Sequence, residues 1–186
     1  MEKVLTRPQN AVYPGPIVLL SCGSMEGRRN IITLAWAANI AAEPPMVVVG
    51  IRPTRYSHGL VVETGDFVLN IPNEDQLRQA DWCGNVSGGT VDKFAQTGFT
   101  PVASSRVKSP SIAECPLNIE CVVRNRVRAG SHDVFVGEVL AVHVDKTLVT
   151  ANGDIDFQAL RPIVYLKGGY YSVGAKLGAY GYTVKK

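Results

Sequence analysis

Between residues 17 and 166 the chain is a succession of short apolar runs, each closed by turn-forming residues. That punctuation commits it to a fold made mainly of strands. The runs cover residues 17–22, 33–38, 46–51, 67–71, 119–125, 134–144 and 163–166. Helical periodicity is confined to three short pieces, 57–64, 74–83 and 90–97. Many strands with few crossover helices predict a mainly β fold with short helices, a β-barrel with Greek-key connections. At 186 residues and 46% hydrophobic content the chain can bury one sizeable core, and no linker-like composition divides it, so residues 1–186 are expected to form a single domain.

Charge and composition narrow the function classes. A net charge of +3, from 19 basic and 16 acidic residues scattered along the chain, argues against nucleic acid as a partner. No apolar run reaches membrane-spanning length and no signal peptide is legible, so a cytoplasmic location with no membrane partner is expected. Cys22, Cys83, Cys115 and Cys121 lack the close pairing of a zinc or redox site and read as small buried hydrophobes. His58, His132 and His143 share no ligand spacing, so no metal site is expected, and no serine–histidine–acid order is visible. Glu120 and Glu138 alternate with apolar neighbours and are expected to face outward or across a subunit seam.

Two stretches carry donors suited to an anion. In Ser87-Gly88-Gly89-Thr90-Val91-Asp92-Lys93-Phe94, glycines free backbone N–H groups for close approach, hydroxyls add neutral donors, and Lys93 adds a full charge. In Arg52-Pro53-Thr54-Arg55-Tyr56-Ser57-His58, Ser57 is placed to N-cap a short helix that Gly65 would end, with free N–H groups beside Arg55. Neither stretch has the spacing of a triphosphate loop or a dinucleotide fingerprint. By itself the first also reads as an ordinary loop, and the second as a capped helix with a solvated arginine.

The chain resembles the flavoredoxin-like branch of the flavin reductases, which bind FMN on a split β-barrel. The matching residues include Asn30-Ile31-Ile32-Thr33-Leu34-Ala35-Trp36, Pro44-Pro45, Arg55-Tyr56-Ser57, Asp66-Phe67-Val68-Leu69-Asn70-Ile71-Pro72, and Cys83-Gly84 leading to Ser87-Gly88. Asp92-Lys93-Phe94, the segment from Glu114 to Cys121 and the segment from His132 to Val139 complete the series, in order, over residues 10–175. Gly89 departs from the pattern, standing where many relatives carry arginine.

The resemblance implies FMN as cofactor, NADH or NADPH as reductant, hydride transfer to flavin N5, and a homodimer. It leaves three roles open: an NAD(P)H-dependent flavin oxidoreductase, a flavoredoxin-type electron carrier reduced by a protein donor, and an FMN-holding module without turnover. With FMN as ligand, Asn30, Thr33, Leu34, Ala35 and Trp36 are expected along the ring system. Arg55, Ser57, Ser87, Gly88 and Lys93 are expected around the phosphate. Trp36 reads equally as a wall of the site or as a core residue. His132 is expected on the open face, positioning the donor, or else as a strand-end residue in solvent. The glycine- and tyrosine-rich tail, residues 168–186, is expected either as a surface strap or packed on a partner subunit, the latter suiting amphipathic tyrosines at an interface.

Overall fold

The computed structural model describes residues 1–184; the last two residues of the tail, Lys185 and Lys186, lie outside the described residues. In chain order the elements are β1 (Gly15–Pro16), β2 (Val18–Gly23), β3 (Arg29–Leu34), β4 (Ala37–Ala42), β5 (Pro45–Ile51), α1 (Tyr56–Thr64) and β6 (Asp66–Ile71). There follow α2 (Leu77–Asn85), α3 (Lys93–Thr97), β7 (Pro101–Val102), β8 (Ser111–Ile112), β9 (Leu117–Ala129), β10 (His132–Val144), α4 (Phe157–Leu160), β11 (Ile163–Leu166) and β12 (Gly169–Ser172).

Seven strands form one antiparallel sheet in the order β3-β2-β6-β9-β10-β5-β4, so the edge strands are consecutive in sequence and joined only through Ala35 and Trp36. The long β9–β10 hairpin supplies its middle, in register from His132 opposite Ala129 to Val144 opposite Leu117, with irregularities between Val136 and Gly137 and between Val139 and Ala141. Such irregularities bend strands and let a sheet curl toward closure. Inside the curl lie Leu20, Val49, Ile51, Leu60, Val61, Phe67, Cys121 and Phe135, all essentially buried. On the other face α2 and α3 close a second core around Leu19, Ile31, Cys83, Phe94 and Ile112.

Most sequence-based elements fall where expected, and the differences have physical causes. The apolar run at 33–38 is two strands, not one. The chain leaves β3 after Leu34 and enters β4 at Ala37, with Trp36 lying half in solvent at the break. Helix α1 starts one residue earlier than expected, and its N-cap is Arg55, without a side-chain cap bond. Ser57 is therefore inside the helix and not its cap. Gly65 does end α1, in the left-handed conformation (φ 73°) that glycine adopts without penalty. The first part of the tail folds as a strand. Gly169–Ser172 forms β12, paired with β11 in a three-stranded sheet with β1. All four cysteines are buried.

Glu120 corrects the expectation of an outward carboxylate, because it is fully buried. Its oxygens accept hydrogen bonds from the backbone N–H groups of Ser105 and Arg106 and from the Ser105 hydroxyl, and its Oε1 lies 2.6 Å from Nε2 of His143. Burial alone would raise its pKa; these bonds outweigh burial and hold the carboxyl below the ordinary carboxylate range. Glu120 thus clasps the 104–109 loop to the barrel. Glu138 stays partly exposed, paired with Arg124 at 2.6 Å.

Candidate functional site

The break between β3 and β4 opens a cleft of about 270 Å³. It is lined by Thr33, Leu34, Ala35 and Trp36, by Arg52, Arg55 and His132, and by Tyr13 and Tyr165. Six of the eleven sequence-derived site residues therefore meet here: Thr33, Leu34, Ala35, Trp36, Arg55 and His132. Trp36 is 44% exposed, and its ring centroid lies 4.3 Å from that of His132, which excludes the reading of a core tryptophan. Gly50 passes beneath this pair, and a Cβ there would lie 3.6 Å from Trp36. His132 is partly buried, and its pKa is lowered first by desolvation and then by the charges of Arg52 and Arg55. The ring is accordingly neutral at pH 7, with one donor and one acceptor nitrogen.

The other five residues lie behind and beside the cleft. Asn30 is buried on β3 and its Nδ2 donates to Ser57 Oγ at 2.7 Å, tying the barrel to the first turn of α1. Its Oδ1 is buried and has no hydrogen-bond partner. The turn at Ser87 packs against this amide: a Cβ at Gly88 would fall 2.0 Å from Asn30 Oδ1, while a Cβ at Gly89 would lie 3.6 Å from the Tyr56 ring. The two donor stretches read separately in the sequence are thus neighbours, joined through Asn30, Ser57 and Tyr56. Ser87 is exposed; its carbonyl accepts from the Thr90 hydroxyl, and its own hydroxyl accepts from the Gly89 N–H.

Lys93 departs from its expected role as a phosphate ligand. Its ammonium is buried and donates to the carbonyls of Ile31 (2.7 Å) and Cys83 (2.6 Å), pinning α3 to β3 and α2. Desolvation lowers its pKa, opposed by the neighbouring Cys83 and Cys22. Burial pushes those thiols up to about 11 and about 12, so neither is a reactive thiolate. Ser57 is likewise completely buried, which leaves its hydroxyl to Asn30. The Thr33 hydroxyl donates to the carbonyl of Ala80, so this residue lines the cleft with its remaining surface. Of the expected phosphate ligands, Arg55 and the 87–90 turn remain accessible, and Arg55 has no carboxylate partner among the described residues.

Sequence reasoning missed Tyr13, Arg52, Gly84 and Tyr165 as lining residues. It also missed a polar cross-link beside them. His58 Nε2 and Asp133 Oδ2 lie 2.8 Å apart, joining α1 to the start of β10, and Arg128 approaches the same carboxylate at 3.3 Å. The bond to His58, ahead of the Arg128 contact, draws the Asp133 carboxyl below its ordinary pKa. Arg126 and Arg128 lie beyond the run 119–125 read as a strand; β9 continues to Ala129, and the hairpin register brings both toward Asp133.

The model of the flavin reductase-like domain matches residues 10–174. The chain belongs to that family. Among solved structures it is similar to the flavoredoxin of Desulfovibrio vulgaris (Miyazaki F), at 32% identity and a TM-score of 0.92, and to a flavoredoxin from Methanosarcina acetivorans, at 30% and 0.90. In both cases the whole of each chain is covered. Among curated proteins it is 28% identical to an NADH:riboflavin 5′-phosphate oxidoreductase of Streptomyces pristinaespiralis, over 70% of this chain and 72% of that one. The fold is a split barrel of the flavin reductase type.

Proposed function

We propose that this member of the flavin reductase-like family binds FMN in the β3–β4 cleft and receives reducing equivalents from NADH or NADPH. The observation that carries the reading is the cleft that brings Thr33 to Trp36 together with Arg55 and His132, with the Ser87–Thr90 turn packed behind it on Asn30 and Tyr56. The donor set fits a flavin mononucleotide. Thr33 to Trp36 offer a largely apolar wall, Arg55 offers a guanidinium for one phosphate, the exposed Ser87 hydroxyl keeps a proton to donate, and the buried, unpartnered Asn30 Oδ1 leaves one acceptor beside the turn. FMN, when bound, supplies the hydride- and electron-accepting centre that the side chains lack.

The protein's own residues then have distinct tasks. Arg55 holds the phosphate by a charge-assisted fork, and Gly88 allows the turn to close against Asn30. Leu34, Ala35 and Trp36 exclude water from one face. His132, neutral and held against Trp36, orients the incoming donor and accepts no hydride itself. The curated relative named for NADH and riboflavin 5′-phosphate supports a nicotinamide donor. The two flavoredoxins favour a second reading, an electron carrier reduced by a protein.

A homodimer suits the surface. The edge strand β4, Ala37–Ala42, is almost wholly exposed yet contains one polar residue, Asn39. It borders an apolar groove of about 490 Å³ that includes Val142 and Phe157, an edge that a second copy of the chain would cover. Anaerobic titration of the flavin-loaded protein with NADH and NADPH, followed at the flavin absorption band, tests the donor. Bleaching at stoichiometric nucleotide is expected; reduction by a ferredoxin-type protein alone would replace the enzyme reading with the carrier reading.

A further inference from the structure

The N-terminal arm ends where the cleft begins. Residues 1–12 are exposed throughout, and Tyr13 is the first side chain that is partly buried. Among the described residues, the one hydrogen bond from this arm to the rest of the fold joins Lys167 Nζ to Gln9 Oε1 at 2.8 Å, between two exposed side chains. From Gly15 onward the chain is fixed. Gly15 and Pro16 pair with Tyr165 and Val164 of β11, and the Ile17 N–H donates to the carbonyl of Ile163 at 3.0 Å. Gly15 also lies directly against the β3–β4 break, where a Cβ would fall 2.6 Å from the carbonyl oxygen of Ala35. Tyr13 is two residues from that contact, at most about 7 Å along the chain, and it lines the cleft with Ala35 and Trp36.

We propose that Tyr13 is a movable cover that closes on the ring of the bound flavin and sets how long the flavin stays. The proposal rests on the flavin reading given above. Tyr13 leans on a fixed support: its ring centroid lies 6.1 Å from that of Tyr165 at a tilt of 59°, and Tyr165 in turn meets Tyr170 at 6.0 Å. Tyr170 donates from its hydroxyl to Asp81 of α2 at 2.8 Å, and both of these tyrosines pack against the second core. Moving Tyr165 would break the pairing of β11; moving Tyr13 costs a ring contact and the exposed bond at Gln9. The hinge is therefore the step from the exposed arm to Gly15, and local opening there leaves the barrel intact. An aromatic side chain gives a planar ligand a large contact area at little cost in rotamer freedom. Being uncharged and next to the Thr33–Trp36 segment, Tyr13 acts on the flavin ring and not on the phosphate that Arg55 holds.

The test times the release of isotope-labelled FMN into excess unlabelled FMN from the parent, Tyr13→Ala, Tyr13→Phe, Gly15→Ala and the Tyr13→Ala/Gly15→Ala double variant. Thermal melts of the flavin-free forms establish that each folds. Tyr13→Ala is expected to release FMN about tenfold faster, the size of one aromatic contact, and to release riboflavin faster by the same factor. Tyr13→Phe should restore slow release, because the ring and not the hydroxyl makes the contact. Gly15→Ala, whose Cβ pushes the arm off Ala35, should speed release by itself and add little to Tyr13→Ala. Hydrogen exchange of the unaltered protein gives an independent reading: the amides of Gln9 to Tyr13 should gain protection as flavin saturates the cleft. A parent that takes up no flavin would sink the flavin reading and the cover with it. Parent-like release from Tyr13→Ala, full additivity of the two substitutions, or arm amides indifferent to flavin would overturn the cover and leave the flavin reading standing.

Discussion

Substituting Gly88 by alanine should damage the protein far more than the same change at Gly89, its neighbour. A Cβ at Gly88 would sit 2.0 Å from Asn30 Oδ1 and 2.4 Å from the amide carbon, so the buried amide has to move. Moving it breaks the 2.7 Å bond to Ser57 that ties β3 to α1. Overpacking of this kind costs about 1–3 kcal/mol and the lost buried hydrogen bond about 1 kcal/mol more, giving about 2–4 kcal/mol in all. In a chain of this length that corresponds to a fall in Tm of about 5–15 °C. At Gly89 the nearest atoms are 3.5 Å and 3.6 Å away, ordinary contact, and alanine should change stability by less than about 0.5 kcal/mol. Urea unfolding of both variants measures the contrast. Adding Asn30→Ala to Gly88→Ala should recover part of the loss, because the clashing atoms are gone. Equal stabilities for the two alanine variants, or additive losses in the double variant, would refute the steric reasoning.

Arg55→Ala should weaken FMN by about 1.5–3 kcal/mol, roughly ten- to a hundredfold in Kd, and leave riboflavin nearly unchanged, as equilibrium binding of both flavins would show. Lys93→Met should instead lower stability by about 3 kcal/mol, because two carbonyls lose a charged donor, and should not discriminate FMN from riboflavin; chemical denaturation with parallel flavin titrations separates the effects. His132→Ala should keep FMN while slowing its reduction by nicotinamide, on the order of a hundredfold if the donor is misplaced by about 1 Å, as read by rapid mixing. Glu120→Gln should cost about 2–3 kcal/mol at neutral pH. The folded carboxyl of Glu120 lies below its unfolded value, so its contribution is present above the ordinary carboxylate range and disappears as pH falls through the folded pKa. The variant's stability should therefore fall less steeply on acidification, as urea unfolding across that pH range would show.

The barrel was legible because strands 46–51 and 67–71 are short apolar runs with clear turns around them. The break at Ala35 and Trp36 was not, because an apolar stretch reads the same whether the chain runs straight or turns out of the sheet. That turn creates the cleft. Lys93 and Ser57 illustrate a second limit. A lysine or serine beside glycines has the chemistry of a phosphate ligand, but whether it faces solvent or reaches inward to carbonyls depends on packing among β3, α2 and α3. Glu120 shows the same effect in a strand, where alternation suggested an outward side chain and the 104–109 loop covers it. Arg55, Trp36 and His132 were recoverable because each lies where an element begins or breaks, and the cleft forms from those ends.

Occupancy of the β3–β4 cleft is the central claim, and backbone amide NMR of the protein during titration with FMN tests it most directly. The account predicts that the largest shift changes fall on Thr33 to Trp36, Arg55, Gly84, Ser87 to Gly89 and His132, with saturation near one flavin per chain. It also predicts that riboflavin reproduces the changes at Thr33 to Trp36 and His132 but not those at Arg55 and Ser87 to Gly89. Changes centred on the apolar groove around Leu69, Leu117 and Ile163, or no saturable change at all, would contradict it.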